Sequence, residues 1–137
     1  MNNDYIFETR LEVRDYECDI EGIVNNANYL HYTEHTASPV LKACGLSFAE
    51  MHEQGTDAVV ARMNLEYKAP LRCDDFIVSR LRLEKQGMPL HLRPRLFREA
   101  DGKLCFRGRV ELVTLVHGRL AVSEDYDRAF APYLSKE

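Results

Sequence analysis

Residues 28–44 are the stretch whose apolar residues recur with a helical period, while five segments elsewhere read as strands. Tyr29, Tyr32 and Thr33, Thr36 and Ala37, Val40 and Leu41, and Cys44 share one side. His31, Glu34, His35, Ser38 and Lys42 form a polar stripe on the other. Asn28 suits the N-cap and Gly45 the C-terminal stop, and Pro39 is expected to kink or split the helix. One long helix among alternating strands points to an α+β chain with an antiparallel sheet packed on that helix.

The strand segments are legible from their alternation. Residues 7–14 set Phe7, Thr9, Leu11 and Val13 against Glu8, Arg10, Glu12 and Arg14. Residues 58–67, closed by Ala69-Pro70, and residues 75–85 follow, and residues 90–99 and 103–117 read as a hairpin. A short helix opens on the capping box Ser47-x-x-Glu50 and ends at Gly55, and another is expected over 125–133.

The hairpin carries its own register test. A two-residue Asp101-Gly102 turn would place Pro94 opposite Arg109 and Leu96 opposite Arg107, mixing charge into an apolar face. A three-residue loop, Ala100-Asp101-Gly102, pairs Leu96 with Phe106, Leu92 with Val110 and Leu90 with Leu112, so that one face is wholly apolar. This predicts Gly102 in the left-handed conformation. It also turns Cys105 outward and sets Arg95 against Arg107 and Arg93 against Arg109. Like charges directly opposed repel. Either carboxylates such as Glu8, Glu12, Glu66 or Glu84, or another subunit, neutralise this block, or a phosphate-bearing ligand does.

The 137 residues suit a single domain spanning 1–137. Eighteen Lys and Arg against 22 Asp and Glu leave a net charge of −4, which argues against a general binder of nucleic acid or of membrane surfaces. No apolar run reaches the ~18–20 residues of a membrane span, and Met1-Asn2-Asn3-Asp4 lacks the features of a signal peptide, so a cytoplasmic location is expected. Cys18, Cys44, Cys73 and Cys105 contain no C-x-x-C pair and read as free, mostly buried thiols.

Two segments bear residue types suited to chemistry. Asp19 to Tyr29 is an irregular stretch feeding the helix. A helix N-terminus offers unpaired N–H groups that polarise a carbonyl and stabilise the oxyanion formed on attack. Asp19, upstream of a turn at Gly22, is placed to serve such a carbonyl as general base for water or as nucleophile. The plainer reading is that Asp19, Asn25 and Asn26 only cap and turn the backbone. The second segment, His31-Tyr-Thr-Glu34-His35, matches H-x-x-E-H, a zinc-ligand spacing on a helix. It falls on a polar stripe, where such residues are expected anyway, and no third ligand is evident. His52, His91 and His117 have no local partner pattern.

The stretch from Tyr16 through Cys18, Asp19, Gly22, Val24-Asn25-Asn26 and Tyr29 to Glu34 resembles the signature of the hotdog-fold acyl-CoA thioesterases, most closely the 4-hydroxybenzoyl-CoA thioesterase branch. Its Val-Asn-Asn-x-x-Tyr part also resembles acyl-ACP thioesterases, although Ile23 and Glu21 replace that group's His and Asn. The likeness continues through Leu65-Glu66-Tyr67-Lys68-x-Pro70-Leu71 and Asp101-Gly102, covering roughly residues 5–117. It implies a long central helix wrapped by a five-stranded antiparallel sheet, in a homodimer or homotetramer with active sites between subunits. It further implies hydrolysis of an acyl-CoA to a free acid and CoA, without metal or other cofactor. By this resemblance Asp19 is the catalytic carboxylate and the Asn26 N–H polarises the carbonyl. Independently of the resemblance, Glu34 on the polar stripe is a candidate second catalytic carboxylate, its plainer reading being a solvated or interface position, and Asn25, Tyr29 and Tyr32 are expected to line the substrate site; the resemblance makes Lys85 the residue that meets CoA phosphates. The alternatives are a non-catalytic acyl-CoA-binding module, an acyl-ACP thioesterase, and a hydratase using Glu34 or a His.

Overall fold

The computed structural model describes residues 7–85 and 87–135. Strand β1 (Phe7–Glu12) is followed by a 3-10 turn, Asp15–Glu17, and then by helices α1 (Asn26–Ala43) and α2 (Phe48–Glu53). Strands β2 (Thr56–Tyr67), β3 (Phe76–Lys85), β4 (Leu90–Arg98) and β5 (Leu104–Val116) come next. A two-residue β6 (Arg119–Leu120), helix α3 (Glu124–Phe130) and a 3-10 turn, Ala131–Tyr133, complete the described elements. The strands form one antiparallel sheet in the order β1-β3-β4-β5-β2, with β6 pairing β5. A long helix against five main strands is the arrangement that the resemblance implies.

Alternation places the core. Along β3, Ile77, Ser79, Leu81 and Leu83 are buried on the face that packs on α1, while Arg80 and Arg82 lie on the other. Thr36 of α1 and Ser79 of β3 share a hydroxyl–hydroxyl hydrogen bond of 2.6 Å in this interior. Around the first turns of α1, Val13, Val24, Tyr29, Tyr32, Leu71, Ile77, Leu96 and Phe106 form one cluster. Met51, Leu81, Leu83, Leu90, Tyr126 and Phe130 form a second one towards α2 and α3.

Several expectations needed correction. Helix α1 begins at Asn26, not at Asn28, and Asn25 is its cap: the Asn25 side chain accepts from the Ala27 N–H at 3.0 Å. Asn28 is drawn away from capping because its amide donates to the Glu17 carbonyl at 2.8 Å. Pro39 does not split the helix; it is exposed and α1 runs on to Ala43. Gly45 follows with φ +74, as a C-terminal stop requires.

The interior of the β4–β5 hairpin has the expected register, with Leu96 opposite Phe106, Leu92 opposite Val110 and Arg95 opposite Arg107. Its end does not. The register slips between Leu96 and Phe97, Arg98 donates to the Lys103 carbonyl, and the closing loop has four residues, 99–102. Gly102 has φ +68, as expected. The bulge reverses the alternation opposite Phe97, so Cys105 turns inward and is fully buried, not outward. The thiols are also less buried than expected: Cys73 is exposed, and Cys18 and Cys44 are only half-buried.

Candidate active site

The segment before α1 is built from short hydrogen bonds. Cys18 and Val24 bridge, and Gly22, at φ +80, donates to the Asp19 carbonyl at 3.0 Å, so residues 18–24 form a tight hairpin. Asp19 stands on this turn, exposed, with Oδ1 accepting from the Glu21 N–H at 2.9 Å. Among the described residues nothing donates to its second oxygen.

The hairpin delivers the chain to the start of α1. Asn25 takes up two of the first free N–H groups: its side chain accepts from Ala27 and its carbonyl from Asn28 at 2.9 Å. The Asn26 N–H has no acceptor among the described residues. It sits at the positive end of an 18-residue helix. A recess of about 200 Å³ opens here, lined by Asn26, Tyr29, Tyr67, Lys68 and Pro70, among others. Tyr67 donates its hydroxyl to the Asn26 carbonyl at 3.1 Å, and its ring packs edge-on against Tyr29 at 5.0 Å.

The expected substrate-site tyrosines are both buried. Tyr29 lines this recess, and its hydroxyl accepts from the Leu71 N–H at 3.4 Å. Tyr32 donates to Glu17 at 2.9 Å, and burial, reinforced by that carboxylate, pushes its phenol far above the usual range. Tyr32 therefore stays protonated and anchors α1 to the 3-10 turn.

Glu34 lies elsewhere. It is exposed on α1 at the rim of a larger apolar recess of about 420 Å³. Phe48, Ala58, Leu83, Leu92 and Phe130 line that space, which lies between α1, the sheet and the two later helices. Lys85 is separate again, with Nζ at 2.5 Å from Asp127 of α3. The structure thus brings Asn25, Asn26 and Tyr29 together, with Asp19 on the preceding turn. Glu34 and Lys85 are in other places.

His31 and His35 are exposed, and His31 contacts the Asn28 side chain at 3.1 Å. Among the described residues no three His, Cys, Asp or Glu side chains gather to hold a metal ion. None of the described helices is long and apolar enough to cross a membrane. Tyr67 and Lys68 line the recess without any local pattern that marks them as site residues, although they lie in the Leu65–Leu71 stretch that carries part of the resemblance.

Comparison with known proteins identifies the family and the fold. A family model described as "Thioesterase superfamily" matches residues 21–90, just over half of the chain and starting two residues after Asp19. An acyl-acyl carrier protein thioesterase of Arabidopsis thaliana, ATL3, is 34% identical over 76 residues, which are 56% of this chain and 40% of that one. A provisionally named acyl-CoA thioesterase of Bacillus subtilis, YneP, is 34% identical over 67 residues, 49% of each chain. The matched region is thus half or less of the length of these two relatives. The solved structure of a 1,4-dihydroxy-2-naphthoyl-CoA thioesterase from Synechocystis superposes with a TM-score of 0.79 at 15% identity, over 91% of this chain and 95% of that one, so the fold is shared. The helix-on-sheet architecture, the hairpin feeding α1 and the matched family model together place this chain in the thioesterase superfamily, with the hotdog fold.

Proposed function

We propose that this chain hydrolyses the thioester of an acyl-CoA, releasing a carboxylic acid and CoA. The observation that carries the reading is the Asn26 N–H. Among the described residues it has no acceptor, and it lies at the start of α1 where Asn26 lines a recess, while Asn25 occupies the next two N–H groups. There it donates to the thioester carbonyl and holds the oxyanion as the tetrahedral intermediate forms. Asp19 takes a proton from the attacking water; a C–O bond forms, the C–S bond breaks, and the thiolate leaves and is protonated. Its alternative role as nucleophile, through a mixed anhydride, uses the same position. The printed names of the relatives, which act on acyl-CoA or on acyl carrier protein, support the reaction class.

The functional unit in this reading is a homodimer, or a tetramer of two such dimers. β2 is a 12-residue strand at one edge of the sheet, and it exposes Val59, Val60, Met63 and Tyr67. An open apolar edge of this length pairs readily with another chain. A two-fold axis across the middle of β2 sets the Tyr67 end of one copy beside the Thr56 end of the other. The apolar recess at Ala58 and Glu34 of the partner then lies beside the Asn26 recess, ready for the acyl group. Glu34 serves as the second carboxylate across that interface. CoA phosphates reach Lys85 only in competition with Asp127.

A carrier-protein thioester is the second reading, favoured by the Arabidopsis relative. Steady-state kinetics on matched acyl-CoA and acyl-carrier substrates decide between them. Asp19→Asn is expected to lower kcat on the order of 100-fold or more with the fold intact. Unchanged hydrolysis across a broad acyl-CoA panel defeats the assignment.

A further inference from the structure

The sheet face turned away from α1 carries ordered rows of charge. One row crosses all five main strands: Glu8, Arg80, Arg95, Arg107 and Glu66 stand side by side. The outer arginines pair with the glutamates at the ends, Arg80 with Glu8 at 2.7 Å and Arg107 with Glu66 at 2.6 Å. In the next row Arg82 stands opposite Arg93. Those two hold Glu84 between them, at 2.9 and 3.2 Å. Arg109 hydrogen-bonds the ring of His91 at 3.0 Å, with Glu111 at 3.6 Å.

Arg95, in the middle, is different. It lies between Arg80 and Arg107, is only half-exposed, and has no hydrogen bond or ion pair with any described residue. A partly desolvated guanidinium flanked by two others is unfavourable without an anion. The space in front of it is a polar recess of about 330 Å³, lined by Arg82, Arg93, Arg95, Arg107 and Arg109 together with Asn64 and others. A chain of net charge −4 thus keeps a cationic well on one face.

We propose that this recess binds a phosphate-bearing anion, with Arg95 as its central guanidinium. Glu66 holds Arg107, and Glu84 holds Arg82 and Arg93, around the recess in front of Arg95. A tetrahedral oxyanion of charge near −2 presents several acceptor oxygens and accepts from several forks at once. A second copy is a poor occupant, because a two-fold contact sets the same cationic well against itself. The site is independent of the thioesterase reading, since it lies on the opposite face of the sheet from the Asn26 recess.

Thermal unfolding of the full chain tests this with sodium pyrophosphate, inorganic phosphate and 3′-phosphoadenosine 5′-phosphate, each against sodium chloride of equal ionic strength. Pyrophosphate or the nucleotide at saturating concentration is expected to raise Tm by about 5 °C. Arg95→Gln is expected to lose that shift while melting no lower than the parent in chloride, because a repulsive charge has gone. Arg95→Lys keeps the charge without the fork and retains part of the shift. Asp19→Asn keeps all of it, so failure here and failure of the proposed hydrolysis are separable. A larger shift with the nucleotide identifies a nucleotide-bearing ligand, and equal shifts identify a free inorganic anion; both support the site. No shift beyond chloride, or the same shift in Arg95→Gln, overturns it. So does an Arg95-dependent response to poly-L-glutamate alone, which assigns the face to an acidic protein.

Discussion

The Tyr67 hydroxyl donates to the Asn26 backbone carbonyl at 3.1 Å, joining the last residue of the edge strand β2 to the first residue of α1. The proposed subunit contact and the proposed oxyanion donor are thereby linked through one side chain. Tyr67→Phe keeps the ring packing on Tyr29 and Phe106 and removes only this bond. Stability is expected to fall by about 0.5–1.5 kcal/mol in urea unfolding. Turnover is expected to fall by roughly tenfold with little change in KM, because the Asn26 N–H loses its fixed direction.

Met63 lies on the exposed edge strand, between Val60 and Tyr67. Met63→Lys puts a charge where two β2 edges are proposed to pair, a device that blocks edge association. Sedimentation velocity is expected to show half the parent mass, and activity is expected to fall with it. A dimer of undiminished stability would move the subunit contact to another surface.

Thr36 and Ser79 tie α1 to β3 where both are buried. Thr36 also bonds the Tyr32 carbonyl at 3.1 Å, which leaves the shared proton of the pair to Ser79. Ser79→Ala therefore removes a donor, but Thr36 keeps its own partner, and a loss of about 1 kcal/mol is expected. Thr36→Val leaves the buried Ser79 hydroxyl without an acceptor and is expected to cost more, about 1–3 kcal/mol. Chemical denaturation of both variants gives the order directly.

His91 is buried on the outer face, and burial together with Arg109 holds its pKa below the usual histidine value. Arg93 opposes its charging as well, while Glu111 and Glu84 favour it. The folded chain thus resists a proton that the unfolded chain accepts below about pH 6.5. This contribution to stability is complete above that pH and is lost as pH falls from there towards the folded-state value. Urea midpoints measured between pH 7.5 and 5 are expected to fall more steeply for the parent than for His91→Gln, whose side chain still accepts from Arg109.

The helix, the strand segments, the hairpin interior and the Asp19–Tyr29 segment were readable in residue order, because each is written in local periodicity or in a contiguous motif. Alternation alone set Leu96 against Phe106 and exposed the arginine block, since a one-residue slip would have buried charge. The tertiary structure decided whatever depends on residues far apart in the chain. Asn28 lost the cap to Asn25 because Glu17 claimed its amide. Cys105 turned inward because a bulge formed opposite Phe97, and Tyr67 reached the helix start from 41 residues away. Arg95 stands apart from its neighbours for the same reason: carboxylates on β1 and β2 reach Arg80 and Arg107 at the ends of the row, and the strand order leaves Arg95 at its centre.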